Sequence, residues 1–100
     1  MKNDNALLML GMAAKAGKVA SGEFMTENAV KSREAALVIV AEDASDNTKK
    51  KFINMCGYYK IPVKIHGMKE ELGKFTGKEF RASLAVTDKG LAQAVMKKLD

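Results

Sequence analysis

Apolar residues run the whole length of the chain, and their spacing switches repeatedly between a helical period and runs that suit strands. From Ala6 to Ala14, residues Leu7, Leu8, Gly11 and Ala14 fall on one helical face, and Gly17 stands where a helix needs a left-handed cap. Lys18-Val19-Ala20-Ser21 is short and extended in character. Gly22 then opens a segment from Glu23 to Ser32 whose early acids, Glu23 and Glu27, suit a helix N-terminus, so a second helix is predicted. Ala36 to Ala41 is a β-branched run with no polar alternation, as in a strand buried on both faces. Asp43, Ala44, Ser45 and Asp46 supply caps for a third helix, in which Phe52, Ile53, Cys56 and Tyr59 recur at helical spacing and Gly57 weakens the end.

Ile61-Pro62-Val63-Lys64-Ile65 alternates after a proline that fits neither a helix interior nor a central ladder, so a short strand starts at Pro62 or Val63. His66-Gly67 turns the chain. A short helix follows from Met68 to about Phe75, and Gly77 breaks it. Arg81 to Val86 reads as a further strand. Asp88 caps a last helix with Leu91, Ala92, Val95, Met96 and Leu99 on one stripe. Buried strands that alternate with helices need helices on both faces, so the expected architecture is α/β, a three-layer α/β/α sandwich.

With 100 residues the chain has material for one core, and a single domain over 1–100 is expected. The longest apolar run, Ala35 to Ala41, is far below the roughly 20 residues of a membrane span. The N-terminal stretch shows no export signal. One cysteine, Cys56, excludes an internal disulfide, so the expected location is cytoplasmic, with no membrane attachment. Lys and Arg number 17 against 12 Asp and Glu, and the net charge of +5 favours an acidic partner, nucleic acid foremost.

Catalytic chemistry finds little support. His66 and Cys56 are each the only residue of their kind, too few for a zinc site of Cys and His, and no metal or other cofactor is expected. Cys56 lies on the apolar stripe of the third helix and reads as a packing residue. His66 reads as an exposed turn residue before it reads as a ligand. Gly73 to Lys78 lacks the spacing of a phosphate-cradling glycine loop. The Glu42-Asp43 pair at a strand end admits an acid/base reading, but Asp43 precedes the third helix, with Asp46 placed to close a box, so capping is preferred. Met9, Met12, Met25, Met55 and Met96 fall within predicted helices and read as packing. Lys49-Lys50-Lys51 reads as a solvated face before a phosphate contact. No nucleophile, base and metal set converges, so the chain is not expected to be an enzyme.

The segment from Lys15 to Arg33 carries more. Lys15, Lys18, Lys31 and Arg33 flank the Gly22 entry into the second helix, where free N–H groups and cations suit a phosphate. The turn His66-Gly67-Met68-Lys69 is a candidate neighbour. Glu23 and Glu27 oppose phosphate there, although carboxylates accept hydrogen bonds from base amino and imino groups.

An ordered set of segments resembles the superfamily of kink-turn-binding ribosomal proteins: Lys15-Ala16-Gly17-Lys18, Gly22, then Ala36 through Ser45. Asn47 to Lys51, Cys56 with Tyr58-Tyr59, Pro62-Val63, Leu72-Gly73, Gly77-Lys78 and Ala85 to Gly90 continue it. Together they are similar to the bacterial YlxQ-like branch, over residues 4 to 99. The resemblance implies a four-stranded mixed sheet and non-catalytic binding of structured RNA in the translation apparatus.

In kink-turn binders of the superfamily the second helix opens with Gly-x-Asn-Glu-x-x-Lys, whose polar side chains read sheared G·A pairs. Here Phe24, Met25 and Asn28 stand at those three positions and only Gly22 is retained. Phe24 is placed to stack on a base and Asn28 to hydrogen-bond one. The second contact of the superfamily maps onto His66, Gly67 and Met68. The implied RNA-binding set is therefore Lys15, Lys18, Gly22, Glu23, Phe24, Asn28, Lys31, Arg33, His66, Gly67 and Met68. Expected partners are ribosomal RNA or messenger RNA and translation-associated proteins, with the protein a monomer. The alternative is a protein-interaction module that has exchanged kink-turn readout for a partner at Phe24 and Met25.

Overall fold

The computed structural model describes residues 4–99. Five helices and four strands alternate: α1 (Asn5–Lys15), β1 (Val19–Ser21), α2 (Glu23–Lys31), β2 (Leu37–Val40), α3 (Asp46–Tyr59), β3 (Val63–Ile65), α4 (Lys69–Phe75), β4 (Ser83–Val86) and α5 (Lys89–Leu99). The sheet order is β1-β4-β2-β3. β4 is antiparallel to both neighbours and β2 is parallel to β3, so the sheet is mixed.

The two middle strands, β2 and β4, are buried at every position, which is why neither alternates polar with apolar residues. Pro62 precedes the edge strand β3, where its missing N–H interrupts no central ladder. Helices α2 and α3 pack against each other over one face of the sheet, and α1 packs with α4 and α5 on the other, giving the three expected layers. Phe52, Leu7, Leu10, Leu37, Ile39, Leu72 and Leu84 are fully buried between them. Each contributes roughly 1.5–3 kcal/mol of transfer free energy.

Several local expectations hold. Asp88 caps α5, accepting from the Leu91 N–H at 2.9 Å. Gly17 and Gly77 take the left-handed conformation, at φ 74° in both. Others need correction. The buried face of α1 is Ala6, Leu7, Leu10 and Ala13, one residue earlier than the Leu7, Leu8, Gly11 and Ala14 face that spacing suggests. Packing on α4 and α5 selects it, and Leu8 and Met12 are left exposed. Met25 and Ile53 are likewise exposed, whereas Met9, Met55 and Met96 pack against the core.

Capping of α3 falls to Ser45, whose Oγ accepts from the Thr48 N–H at 3.1 Å. Asp43 stands two residues too early to reach that helix end and serves elsewhere, as described below. The segment 78–80 crosses α4 directly over Gly73, where a Cβ would lie 1.2 Å from the Glu79 carbonyl oxygen.

Strand register defines two ends of the sheet. At one end Ser21, Val40, Ile65 and Ser83 finish or begin their strands side by side. At the other lie Val19, Val86, Leu37 and Val63. Because α1, α2 and α3 run the length of the sheet, each helix has one terminus at each end.

Candidate nucleic-acid interface

The Gly22 end is built on a buried polar clamp. Gly22 has φ 96° and ψ 157°, a conformation that favours glycine, and its N–H donates to the Ser83 carbonyl at 2.9 Å. Its own carbonyl accepts both the Thr26 N–H (2.9 Å) and the Thr26 hydroxyl (2.6 Å). The Ser83 hydroxyl donates to Thr26 Oγ1 at 3.3 Å. Thr26 and Ser83 are the two fully buried polar side chains among the described residues, and together they fix the start of α2 to β4.

Thr26→Val keeps the shape but orphans the Ser83 hydroxyl, so it should cost about 1–2 kcal/mol. Thr26→Val with Ser83→Ala should cost no more than the single change, because both polar groups then leave the core. Urea midpoints of the two variants measure this, and a double variant that loses the sum of two single losses contradicts the clamp.

No side chain among the described residues caps α2, because its N-cap is Gly22. The first N–H groups of the helix therefore stay available, with the positive end of its dipole. Beside Gly22 lies Arg81: an ideal Cβ on the glycine would stand 3.8 Å from its Nε. Arg81 is held by Nε to Ser21 Oγ (3.3 Å) and by Nη1 to the Phe80 carbonyl (2.9 Å), which leaves Nη2 without a partner among the described residues. Sequence reasoning missed Arg81, because inside an apparent strand nothing marks it as a neighbour of Gly22.

The β3–α4 loop forms the second wall. His66 Nε2 meets Asp4 Oδ2 at 2.7 Å, so His66 is half-buried and partnered, not the exposed turn residue expected. Gly67, at φ 75°, donates its N–H to Glu42 (3.1 Å) and accepts the Glu42 N–H (2.7 Å). Met68 N–H goes to Glu71 (2.9 Å) and Lys69 N–H to Asp43 (2.8 Å). The Glu42-Asp43 pair therefore caps this loop and not α3. Buried Gly67 positions the loop and has no N–H to offer, whereas the Met68 side chain is exposed. The Lys69 carbonyl accepts the Arg81 N–H at 3.0 Å, which joins the loop to Arg81.

Part of the charge at this end is paired within the protein. Lys51 of α3 bonds Glu23 at 2.9 Å and Glu27 at 2.6 Å, and Lys31 bonds Glu27 at 2.7 Å. Hydrogen bonds from Lys31 and Lys51 hold the Glu27 carboxyl down to about 2, and Glu27 and Glu23 in turn raise Lys51. Glu23 and Glu27, the acids that seemed to oppose phosphate, are thus paired with lysines, while Glu42, Asp43 and Glu71 accept backbone N–H groups and keep their charge. Large apolar side chains also project outward: Phe24 is 74% exposed, Phe80 66%, Met25 51% and Met68 46%. Asn28 is exposed one turn further along α2.

Of the sequence-derived cations only Lys31 touches this group, through its ion pair with Glu27. Lys31 stands at the far terminus of α2, about 12 Å along its axis from Glu23, and Arg33 lies beyond it. Lys15 ends α1 and Lys18 precedes β1, both at the opposite end of the sheet. The eleven residues expected to form one site therefore divide: Gly22, Glu23, Phe24, Asn28, His66, Gly67 and Met68 at one end, and Lys15, Lys18, Lys31 and Arg33 toward the other.

Cys56 is buried in the core, and burial pushes its thiol up to about 11, so it stays protonated. Among the described residues no group of three or more His, Cys, Asp or Glu is arranged to hold a metal ion. No helix among them is long and apolar enough to cross a membrane.

Comparison with known proteins agrees with this architecture. The model of the ribosomal protein L7Ae/L30e/S12e/Gadd45 family matches residues 4–96. The RNA-binding protein YlxQ of Bacillus subtilis (strain 168) is 44% identical over 92 residues, covering 92% of each chain. The protein of the same name from Enterococcus faecium is 35% identical over 88 residues, 88% of this chain and 84% of that one. A protein of unknown function from Bacillus halodurans C superposes with a TM-score of 0.93 at 37% identity, over 98% of this chain and 99% of that one. The Giardia lamblia 15.5kD RNA binding protein shares the fold, with a TM-score of 0.80 at 20% identity over 99% and 88% of the two chains. A family match across nearly the whole chain, together with a 44% identical relative, places this chain in the ribosomal protein L7Ae/L30e/S12e/Gadd45 family, in its bacterial YlxQ-like branch.

Proposed function

We propose that residues 1–100 act as one non-catalytic, cytoplasmic RNA-binding domain that grips structured RNA at the Gly22 end. The ligand is ribosomal RNA or messenger RNA of the translation apparatus, and the protein acts as a monomer. The observation that carries this reading is the uncapped start of α2 beside Arg81, with Phe24 and Met25 exposed on its first turn, Met68 exposed in the β3–α4 loop, and Glu23 and Glu27 paired with lysines. The helix end and the guanidinium suit a phosphate, and the apolar rim suits an unstacked base. Relatives named as RNA-binding proteins support the same ligand class.

The contact differs from polar readout of sheared G·A pairs, since Phe24 and Met25 offer no hydrogen bonds from their side chains. An RNA with an extruded base at a bend, kink-turn or otherwise, is the fitting class.

Ultraviolet crosslinking in cells recovers the RNA, and titration of that RNA then tests the site. Phe24→Ala should weaken binding about tenfold and leave the salt dependence unchanged. Arg81→Gln should weaken it by a similar factor and lower the salt slope by about 0.7–0.9, one phosphate contact. Unchanged affinity in both variants would sink the assignment. The exposure of Phe24 and Met25 also suits an apolar protein partner. That second reading holds if a partner retained on the chain survives RNase treatment and is lost in Phe24→Ala.

A further inference from the structure

One of the cations that the fold separates from Gly22, Arg33, has an aromatic neighbourhood of its own. We propose that the opposite end of the molecule carries a second RNA contact, a platform on which an unpaired base stacks against Tyr58 while Arg33 and Lys60 hold the flanking phosphates. The ligand class rests on the reading of RNA given above, but the site shares no residue with the Gly22 end.

Tyr58 is 77% exposed, more than any other large apolar or aromatic side chain among the described residues. It is nevertheless held, by an edge contact with Tyr59 at 5.0 Å between centroids and 78° between planes. The Arg33 guanidinium carbon lies 5.1 Å from the centre of the Tyr59 ring, so a cation and two rings form one cluster. An uncovered ring, next to a second ring that carries a cation, suits the stacking of an unpaired base without regard to sequence.

The backbone adds an independent observation. Two non-glycine residues among those described have positive φ, Arg33 at 63° and Lys60 at 59°. Each closes a helix, α2 and α3 respectively, at a position where glycine or asparagine is the usual occupant. A cation gains from a helix C-terminus, but it gains that from the last helical turn at ordinary φ, and α3 has no basic residue there. Both positions are held by cations, Arg33 over the Tyr59 ring and Lys60 next to Tyr59 in the chain. A hollow of about 350 Å³ adjoins, lined by Lys60 and Lys89 over Ile61, Pro62 and Met96, with no carboxylate in its lining. Of the nearby acids, Glu34 accepts from Ser32 at 3.2 Å and Asp88 from the Leu91 N–H.

Two contacts at opposite ends fit an RNA with a folded element and a single-stranded flank. The chain has two tyrosines, so full-length protein labelled with 3-fluorotyrosine gives two fluorine resonances, and Tyr58→Phe assigns them. The probe is a ten-nucleotide uridine-rich single strand, with the same strand in a duplex as comparison. We expect a saturable shift of the Tyr58 signal with the single strand and a much smaller one with the duplex.

Arg33→Gly with Lys60→Gly should weaken that binding about tenfold while preserving the fold, because glycine accepts the left-handed backbone. Arg81→Gln should leave the shift unchanged. No shift, an equal shift with duplex, a shift intact in the double glycine variant, or one abolished by Arg81→Gln each overturns the proposal. A normal Tyr58 shift alongside structured-RNA binding indifferent to Phe24→Ala and Arg81→Gln would instead overturn the Gly22 assignment alone.

Discussion

Gly73→Ala is expected to destabilise the protein by about 3 kcal/mol or more and to abolish RNA binding at the Gly22 end in whatever remains folded. The new Cβ would fall 1.2 Å from the Glu79 carbonyl oxygen, 2.3 Å from its carbon and 3.1 Å from the Phe80 nitrogen. These are backbone atoms, so no rotamer change relieves the clash, and the segment 78–80 must lift from α4. That segment is continuous with Arg81, whose N–H bonds the Lys69 carbonyl and whose side chain bonds Ser21. Lifting it removes the guanidinium and Phe80 from their places beside Gly22. For a domain of this size each kcal/mol shifts the midpoint by roughly 4–8 °C, so a fall of at least about 12 °C is expected in a thermal melt. A wild-type melting curve would contradict so close a crossing over Gly73.

The other large effect is Phe52→Ala, at about 3–5 kcal/mol, and it separates stability from recognition. Phe52 is the largest fully buried side chain and belongs to α3, which packs on α2 and β2. The ring touches the Gly22 end only through Lys51, whose ammonium lies 5.7 Å from its centre, and truncation leaves a cavity under α3. Against a typical total of roughly 5–15 kcal/mol, the loss takes a large share of the stability. Excess cognate RNA should recover part of it by mass action, and the folded fraction should bind with wild-type affinity. Urea titrations with and without RNA read both quantities. An intrinsic affinity reduced as far as in Gly73→Ala would mean that α3 takes part in the contact itself.

Much of the fold could be read in the sequence because its signals are local. The unbroken Ala36 to Ala41 run announced a strand covered on both faces, Asp88 its helix cap, Gly17 its left-handed cap and Gly77 the break after α4. The candidate site was legible only in part, because proximity across the sheet is not local. Lys18 and Gly22 are four residues apart, yet a strand between them carries them to opposite ends of the sheet. Arg81 and Gly22 are far apart in the sequence, and the pairing of β1 with β4 makes them neighbours. Glu42 and Asp43 carry the ordinary mark of helix caps, but a loop some 25 residues on offers them better placed N–H groups. Spacing on α1 misjudged its inner face by one position, because which small residues face α4 and α5 is decided by the partners.

The wiring of the β3–α4 loop bears on who yields during docking. Its four successive N–H groups, from His66 to Lys69, are satisfied by Val40, Glu42, Glu71 and Asp43, and its ends are tied to Asp4 and Arg81. Such a surface is finished before any ligand arrives, so little conformational freedom is left for it to lose. In the proposed complex the deformation at this end then falls on the RNA, and its cost depends on how readily that RNA unstacks or bends. Two RNAs that present the same groups to Arg81 and Phe24 would be told apart by their stiffness, a property distributed over nucleotides that the protein never touches.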